Sequence, residues 1–397
     1  MARPRATGGG DSDGATLLTR DFLTLTAAEL AYFTAFGLTV PIVPLFARGP
    51  LGAGPAGVGL AVGVFSATAL VLRPLAGRLS DRRGRRPLLV GGGALYAVVT
   101  AAHLLAGELW VLVGLRVLLG VAEALFFVAA TAALTDLAPP KRLGEALSYN
   151  SLALYLGISA GPALGELLLA VGGFRLAWLG GAFLAVVAVM VVLRLPETAS
   201  PQRDTTDLPL IHRAVLAPGF AFCAGLAAAA GFLTFAALHA REVGLSSSGA
   251  VLAVYGLVVV GCRVAFAPLA DRYPALWSGA AALACTAAGL AVMAAVRSPA
   301  GLVAGTAVLA VGVAFLTPAF VRAIMSSVEP RLRGGAAGTF SMFVDLGLGG
   351  GPLLLGLVAD AAGIPATFAV GGAAAGSAAL ATALLARLRG AREATAA

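Results

Sequence analysis

Residues 56–107 read AGVGLAVGVFSATALVLRPLAGRLSDRRGRRPLLVGGGALYAVVTAAHLLAG, and the rest of the chain repeats the pattern of this stretch. Two apolar runs, 56–76 and 87–107, flank a short loop rich in arginine. Each run has about 20 residues, the length that an α-helix needs to cross a hydrocarbon core roughly 30 Å thick. The stretch therefore predicts two membrane-spanning helices joined by a charged loop.

Composition extends this prediction to the whole chain. Of the 397 residues, 59% are hydrophobic and 12% charged, which is unlike a soluble globular domain. The apolar runs are too long and too uniform for barrel strands, so they predict helices. We predict an all-α integral membrane fold with twelve spans, at 22–46, 56–76, 87–107, 109–135, 146–170, 175–194, 214–240, 248–270, 276–296, 300–322, 337–361 and 364–386.

The basic residues predict how the chain is oriented. Of the 27, 19 fall in loops on one side of the predicted membrane, while the other side has only Arg48, Arg175, Arg241 and Arg297. The positive-inside rule places the rich side and both termini in the cytoplasm. The net charge of +8 then reflects topology, and we expect a lipid bilayer of the cell (inner) membrane as partner and no nucleic acid.

An internal repeat at an offset of 190 residues predicts two similar halves. Gly157, Gly161 and Pro162, for example, match Gly347, Gly351 and Pro352. Because each half holds six spans, the two bundles are expected to be parallel about an axis along the membrane normal. The predicted units are a disordered cytoplasmic tail 1–20, bundles 21–194 and 214–388, a cytoplasmic linker 195–213 and a tail 389–397. We expect a monomer.

The loop Gly77-Arg-Leu-Ser-Asp81-Arg82-Arg-Gly84-Arg85-Arg resembles the G-x-L-A-D-R-x-G-R-R pattern of the major facilitator superfamily, and the resemblance covers essentially the whole chain. It implies the major facilitator fold and transport without enzymatic chemistry. It also implies a cytoplasmic gating latch, in which Gly77 permits close helix approach and Asp81 caps the N-terminus of span eleven. The alternative is that the arginines only enforce topology.

Span five carries Gly157, Gly161, Pro162 and Gly165, a pattern similar to that of drug/proton antiporters, although Glu166 stands where a second glycine is usual. The glycines predict one smooth face for helix packing, and Pro162 predicts a kink. A purely structural packing role is compatible with the functional one.

Four charged residues inside spans are the candidates for proton coupling or substrate binding: Glu29, Arg116, Glu123 and Asp345. Arg116 with Gly120 is similar to the family's R-x-x-x-G element of proton coupling. A charge in mid-bilayer is costly and usually functional, because a buried carboxylate can bind a proton and release it when a cation approaches. The alternative for Arg116 and Glu123 is a structural ion pair. Arg73 is expected to snorkel to the interface, with a gating role as the alternative.

Aromatic residues of the spans are candidate cavity walls, although ordinary packing is the alternative: Tyr32, Phe33, Phe126, Tyr155 and Tyr255. Lys141 is the only lysine and lies in no phosphate-binding loop, and the three histidines are isolated. We therefore expect no cofactor and no metal, and a gradient as the energy source. The preferred hypothesis is proton-coupled efflux of a small lipophilic or amphipathic drug or metabolite. The alternatives are proton-coupled or facilitated uptake of a small solute, and a non-transporting sensor or assembly protein.

Overall fold

The computed structural model describes residues 17–139, 142–198, 212–245, 248–266, 273–329 and 333–396. One long element, Leu143–Val192, is broken at Gly172 and Gly173, where Gly173 has a φ of +65°, and we name its two arms α5 (143–171) and α6 (174–192). The other helices are α1 (Arg20–Arg48), α2 (Pro55–Arg83), α3 (Arg85–Ala102), α4 (Leu109–Leu137), α7 (Arg213–Glu242), α8 (Gly249–Ala265), α9 (Ala275–Ala295), α10 (Pro299–Met325), α11 (Arg333–Ala362) and α12 (Ile364–Ala396).

Local sequence explains where several helices begin. The Thr19 hydroxyl accepts a hydrogen bond from the Phe22 N–H at 3.2 Å, and Ser298 accepts one from the Gly301 N–H at 3.1 Å. Pro55 opens α2, where its missing N–H costs nothing. These residues satisfy or remove donors that have no partner in the first turn of a helix.

The helices are long and apolar enough to cross a membrane. Ten in the described ranges meet that condition, with 156–192 counted as one and the 17-residue α8 falling just short. Dividing the broken element and including α8 gives one helical segment for each predicted span, in the predicted order. The all-helical membrane fold is therefore confirmed.

The segments form two bundles, α1–α6 and α7–α12. The main contacts between them are made by α2 with α11 and by α5 with α8. Residues 1–16 and 199–211, which hold most of the predicted tail and linker, lie outside the described residues. Within the described part, α12 continues to Ala396 and so extends through the segment predicted as a C-terminal tail.

The hydrophobic cores show how the bundles meet. Following the predicted topology, we call the half near the α1–α2 loop the outer half and the half near the termini the inner half. In the outer half one core is shared by both bundles, and includes Ile42, Phe232 and Leu355. In the inner half each bundle has its own core, one around Phe126 and one around Phe320. The structure is thus closed between the bundles in its outer half and divided in its inner half.

Candidate transport site

An ion pair joins the two bundles through α2 and α11. Arg73 of α2 lies with Nε 2.6 Å from Asp345 Oδ2 of α11, and its Nη2 donates to Asp345 Oδ1 at 2.8 Å. The Asp345 side chain is 4% exposed and that of Arg73 16%. The Arg73 guanidinium also stacks on Phe127 of α4, 4.5 Å from the ring centre. Snorkelling, the predicted role of Arg73, is therefore wrong, because the side chain turns into the protein to meet a buried carboxylate.

Glu123 of α4 lies beside this pair. Its buried carboxyl is within electrostatic range of both Arg73 and Asp345. The hydroxyl of Tyr32 is also near, yet neither Tyr32 Oη nor Glu123 Oε2 has a hydrogen-bond partner. One carboxyl oxygen of Glu123 therefore has no hydrogen-bond partner. The nearby guanidinium of Arg73 is already paired with Asp345.

Glu29 of α1 is held by an amide. Asn150 Nδ2 of α5 donates to Glu29 Oε2 at 2.7 Å, and Asn150 Oδ1 accepts from the Thr26 hydroxyl at 3.3 Å. Glu29 is 3% exposed and its second oxygen, Oε1, has no partner. Because Glu123 is within electrostatic range of Glu29 and of Asp345, the three acids form a series from Glu29 to Asp345, with Arg73 at the Asp345 end.

Arg116 stands apart from that group. Its Nε donates to the Ala61 carbonyl oxygen of α2 at 3.0 Å, and its guanidinium lies 4.6 Å from the centre of the Phe65 ring. No ion pair links Arg116 to Glu123, so the structural pair considered as their alternative role does not form. The structure thus brings Glu29, Glu123 and Asp345 together and places Arg116 against α2.

Three of the proposed wall aromatics are packed instead. Tyr32 stacks face to face on Phe126 at 3.9 Å between centroids, and neither ring has accessible surface. Phe33 is 4% exposed and meets Phe127 edge to face. In this conformation these three rings are packed in the core of the first bundle and do not line a cavity. Tyr255 is half-buried against Phe232, and the side chain of Tyr155 lies outside the described residues.

The loop motif is organised around Arg85. Its side chain reaches Asp81 at 3.0 Å and Asp136 at 3.1 Å, and donates to the Ser80 carbonyl. Asp81, 70% exposed, pairs within its own bundle, so its predicted capping of the helix opposite is not seen here. A Cβ on Gly77 would meet nothing closer than 4.0 Å, so the close approach predicted for Gly77 is also absent.

Glu197, which follows the last helix of the first bundle, also contacts this loop. Its carboxylate accepts from the Arg85 N–H at 2.8 Å and the Arg86 N–H at 3.2 Å, and so caps the N-terminus of α3. Gly84 has a φ of +94°, which favours glycine, and a Cβ there would displace this carboxylate from its capping position. Arg82, also assigned to the latch, is exposed to solvent.

The glycines of α5 do form a packing face. A Cβ on Gly157 would lie 2.8 Å from the Thr34 backbone nitrogen, and one on Gly161 or Gly165 would lie 2.5 Å from backbone atoms of Leu38. The backbone of α1 therefore rests directly on α5. At the buried Pro162 the chain keeps helical dihedral angles, since Gly172 and Gly173 are the only residues in this element that depart from them.

Several residues of the site were missed by reading the sequence. Asn150 carried a signal, since an amide inside an apolar span is costly unless it has a partner. Glu197 gave no local signal of its capping role, because the Arg85 N–H that it accepts from lies 112 positions earlier in the chain. The pairing of Asp136 with Arg85 and that of Arg73 with Asp345 gave no local signal, because the partners are distant along the chain.

Comparison with known proteins identifies a family and relatives that this chain resembles. The family described as Major Facilitator Superfamily matches residues 25–301 and 220–396. An MFS-type transporter of Salmonella typhimurium is 27% identical, with 82% of this chain and 86% of the relative covered. Multidrug resistance protein 1 of Bacillus subtilis is also 27% identical, with 85% and 90% covered.

A solved structure shares the architecture. It is a bacterial homologue of the human lysosomal transporter Spinster, in an inward-facing and occupied conformation. It superimposes with a TM-score of 0.75 at 17% identity, covering 92% of this chain and 96% of that one. At this identity the likeness concerns the fold.

Proposed function

The chain belongs to the Major Facilitator Superfamily and is a multi-pass membrane transporter, not an enzyme; on that premise we propose that it exports a small lipophilic or amphipathic compound in exchange for protons. The observation that carries this proposal is a series of three buried carboxyls, Glu29, Glu123 and Asp345, which ends at the ion pair of Asp345 with Arg73 between the two bundles.

Charge explains how such a group couples a proton to a conformational change. One guanidinium can neutralise one carboxylate; Arg73 pairs with Asp345 and acts on the nearby Glu123, while Glu29 has only an amide partner. A buried acid without a cation is held at lower cost with a proton. A proton that binds Asp345 would weaken its pair with Arg73 and so loosen a contact between the bundles. Arg73 would then be free to pair with Glu123.

Export is preferred over uptake on two grounds. One curated relative is a multidrug resistance protein, and the α5 glycine face has the spacing typical of antiporters. The acids also suit a cationic amphipath, which could displace a proton from Glu123 or Glu29 by supplying the positive charge itself. We infer further that the protein acts as a monomer in the cell membrane with both termini in the cytoplasm.

Flux in proteoliposomes tests the proposal. Purified protein is reconstituted, a pH gradient is imposed across the membrane, and a panel of amphipathic fluorescent dyes is followed. We expect at least one dye to move against the direction of proton flow, with no such movement in protein-free liposomes. Movement in the same direction as protons would favour uptake. A complete lack of flux for dyes and protons would favour a non-transporting role.

A further inference from the structure

An aromatic cleft opens at the outer end of the first bundle, away from the carboxyl group. It has a volume of about 450 Å³ and is lined by Phe46, His103, Leu104, Phe174, Arg175 and Trp178. This size lies within the range of small-molecule pockets. The residues come from the outer ends of α1 and α6 and from the short turn after α3. The cleft is thus at the level of the predicted outer headgroup region.

The walls of the cleft are fixed by ring contacts. Phe46 meets Phe174 at 5.1 Å and Trp178 at 5.5 Å, both edge to face, and the His103 ring lies 4.5 Å from that of Trp178. Phe46, His103 and Trp178 are buried. An aromatic wall of this kind offers a large apolar contact surface with polar N–H groups at its edge.

Arg175 gives the cleft its charge. It is exposed, and it has no hydrogen bond or ion pair with any described residue. It belongs to the first turn of α6, directly after the break at Gly173. The sequence places only four basic residues on this side of the membrane, so an unpaired one inside an aromatic cleft is unusual.

Two buried polar atoms of the lining residues lack partners. His103 Nδ1 lies 2.8 Å from the Val99 carbonyl oxygen, which can only accept, so Nδ1 carries the hydrogen and Nε2 of the neutral ring is an acceptor. Neither His103 Nε2 nor the donor Trp178 Nε1 has a hydrogen-bond partner. Since buried polar atoms without partners are costly, a group that both donates and accepts would stabilise this region.

From these observations we propose that the cleft binds the headgroup of an anionic, hydroxyl-bearing phospholipid of the outer leaflet. The phosphate pairs with Arg175. The wall rings move apart to admit the headgroup, so that a phosphate oxygen accepts from Trp178 Nε1 and a headgroup hydroxyl donates to His103 Nε2, two atoms that are covered in the observed conformation. The acyl chains follow exposed apolar side chains nearby, among them Leu105 and Val171, which are 81% and 74% exposed. Phosphatidylglycerol has this chemistry, whereas phosphatidylcholine lacks both the net charge and the hydroxyls.

Native mass spectrometry of the delipidated full-length protein in detergent tests this site. Phosphatidylglycerol is titrated against the wild type and against the Arg175→Gln, Arg175→Lys and Trp178→Phe variants. We expect Arg175→Gln to weaken binding by about tenfold or more, because a charge-assisted contact is lost. Trp178→Phe, which removes one neutral donor, is expected to weaken it by roughly two- to tenfold. Arg175→Lys should retain most of the affinity.

Arg297→Gln is the matched control, since Arg297 is also exposed on the outer side but does not line the cleft. It should bind phosphatidylglycerol as the wild type does, and thermal unfolding without lipid checks that each variant is folded. Equal affinity of wild type and Arg175→Gln would overturn the proposal. So would equal binding of phosphatidylcholine. Stabilisation by inorganic phosphate alone, with the same dependence on Arg175, would assign the cleft to a free anion instead of a lipid.

Discussion

Replacing Asp345 by Asn should open the outer half of the protein. The change keeps the size of the side chain and removes the negative charge that pairs with Arg73 across the two bundles. In the observed conformation the outer half is closed, with α2 and α11 in contact near Gly63 and Gly349. If the ion pair stabilises this conformation over one with the outer half open, its loss must shift the ratio of the two.

The geometry sets the size of that shift. Removing one partner of a buried ion pair costs about 3–5 kcal/mol. Arg73 is 16% exposed and keeps its contact with Phe127 and its proximity to Glu123, so part of the cost is recovered by water and by these neighbours. We therefore expect about 2–3 kcal/mol, which corresponds to a change of roughly 30- to 150-fold in the ratio. An outer-open state populated at about 1% would become a substantial fraction.

Distances between spin labels on the outer side measure the effect. Glu108 of the first bundle and Arg297 of the second are exposed there and can be replaced by cysteine, once Cys223, Cys262 and Cys285 are replaced by alanine. Asp345→Asn should add a population at longer distance. Glu242→Gln is the control, because Glu242 pairs with His239 inside one bundle. An unchanged distance distribution in Asp345→Asn would refute the idea that this pair holds the outer half closed.

Three further predictions concern the coupling acids, the α5 packing face and the α3 cap. Glu123→Gln should abolish dye movement driven by a pH gradient while leaving the protein folded, and wild-type flux would remove Glu123 from the proposed site. Gly161→Ala should lower the free energy of unfolding by about 1–3 kcal/mol, since its Cβ would lie 2.5 Å from the Leu38 nitrogen. Gly114→Ala is the control, because a Cβ there meets nothing within 4 Å and should leave stability unchanged. Thermal unfolding in detergent compares the two variants. Glu197→Ala should cost about 1 kcal/mol by the same measurement, because two N–H groups at the start of α3 lose their cap, and a melting temperature equal to that of the wild type would contradict that role.

Much of the fold was determined by the sequence alone. The number and order of the spans follow from runs of apolar residues about as long as a bilayer is thick, because lipid offers the backbone no hydrogen bonds. The same constraint makes Glu29, Glu123 and Asp345 conspicuous without any structure. The spacing of Gly157, Gly161 and Gly165 likewise predicted a smooth helix face, and α1 lies on it.

Only the tertiary structure decided which charges meet. Arg73 and Asp345 are separated by 272 positions, and no local pattern distinguishes an arginine that snorkels from one that reaches a carboxylate in the opposite bundle. The same is true of Arg116, for which an ion pair with Glu123 was one alternative and which donates to the Ala61 carbonyl of α2 instead. Insertion into a membrane depends on the length and apolarity of each segment, whereas the partner of a buried charge depends on where twelve segments finally pack.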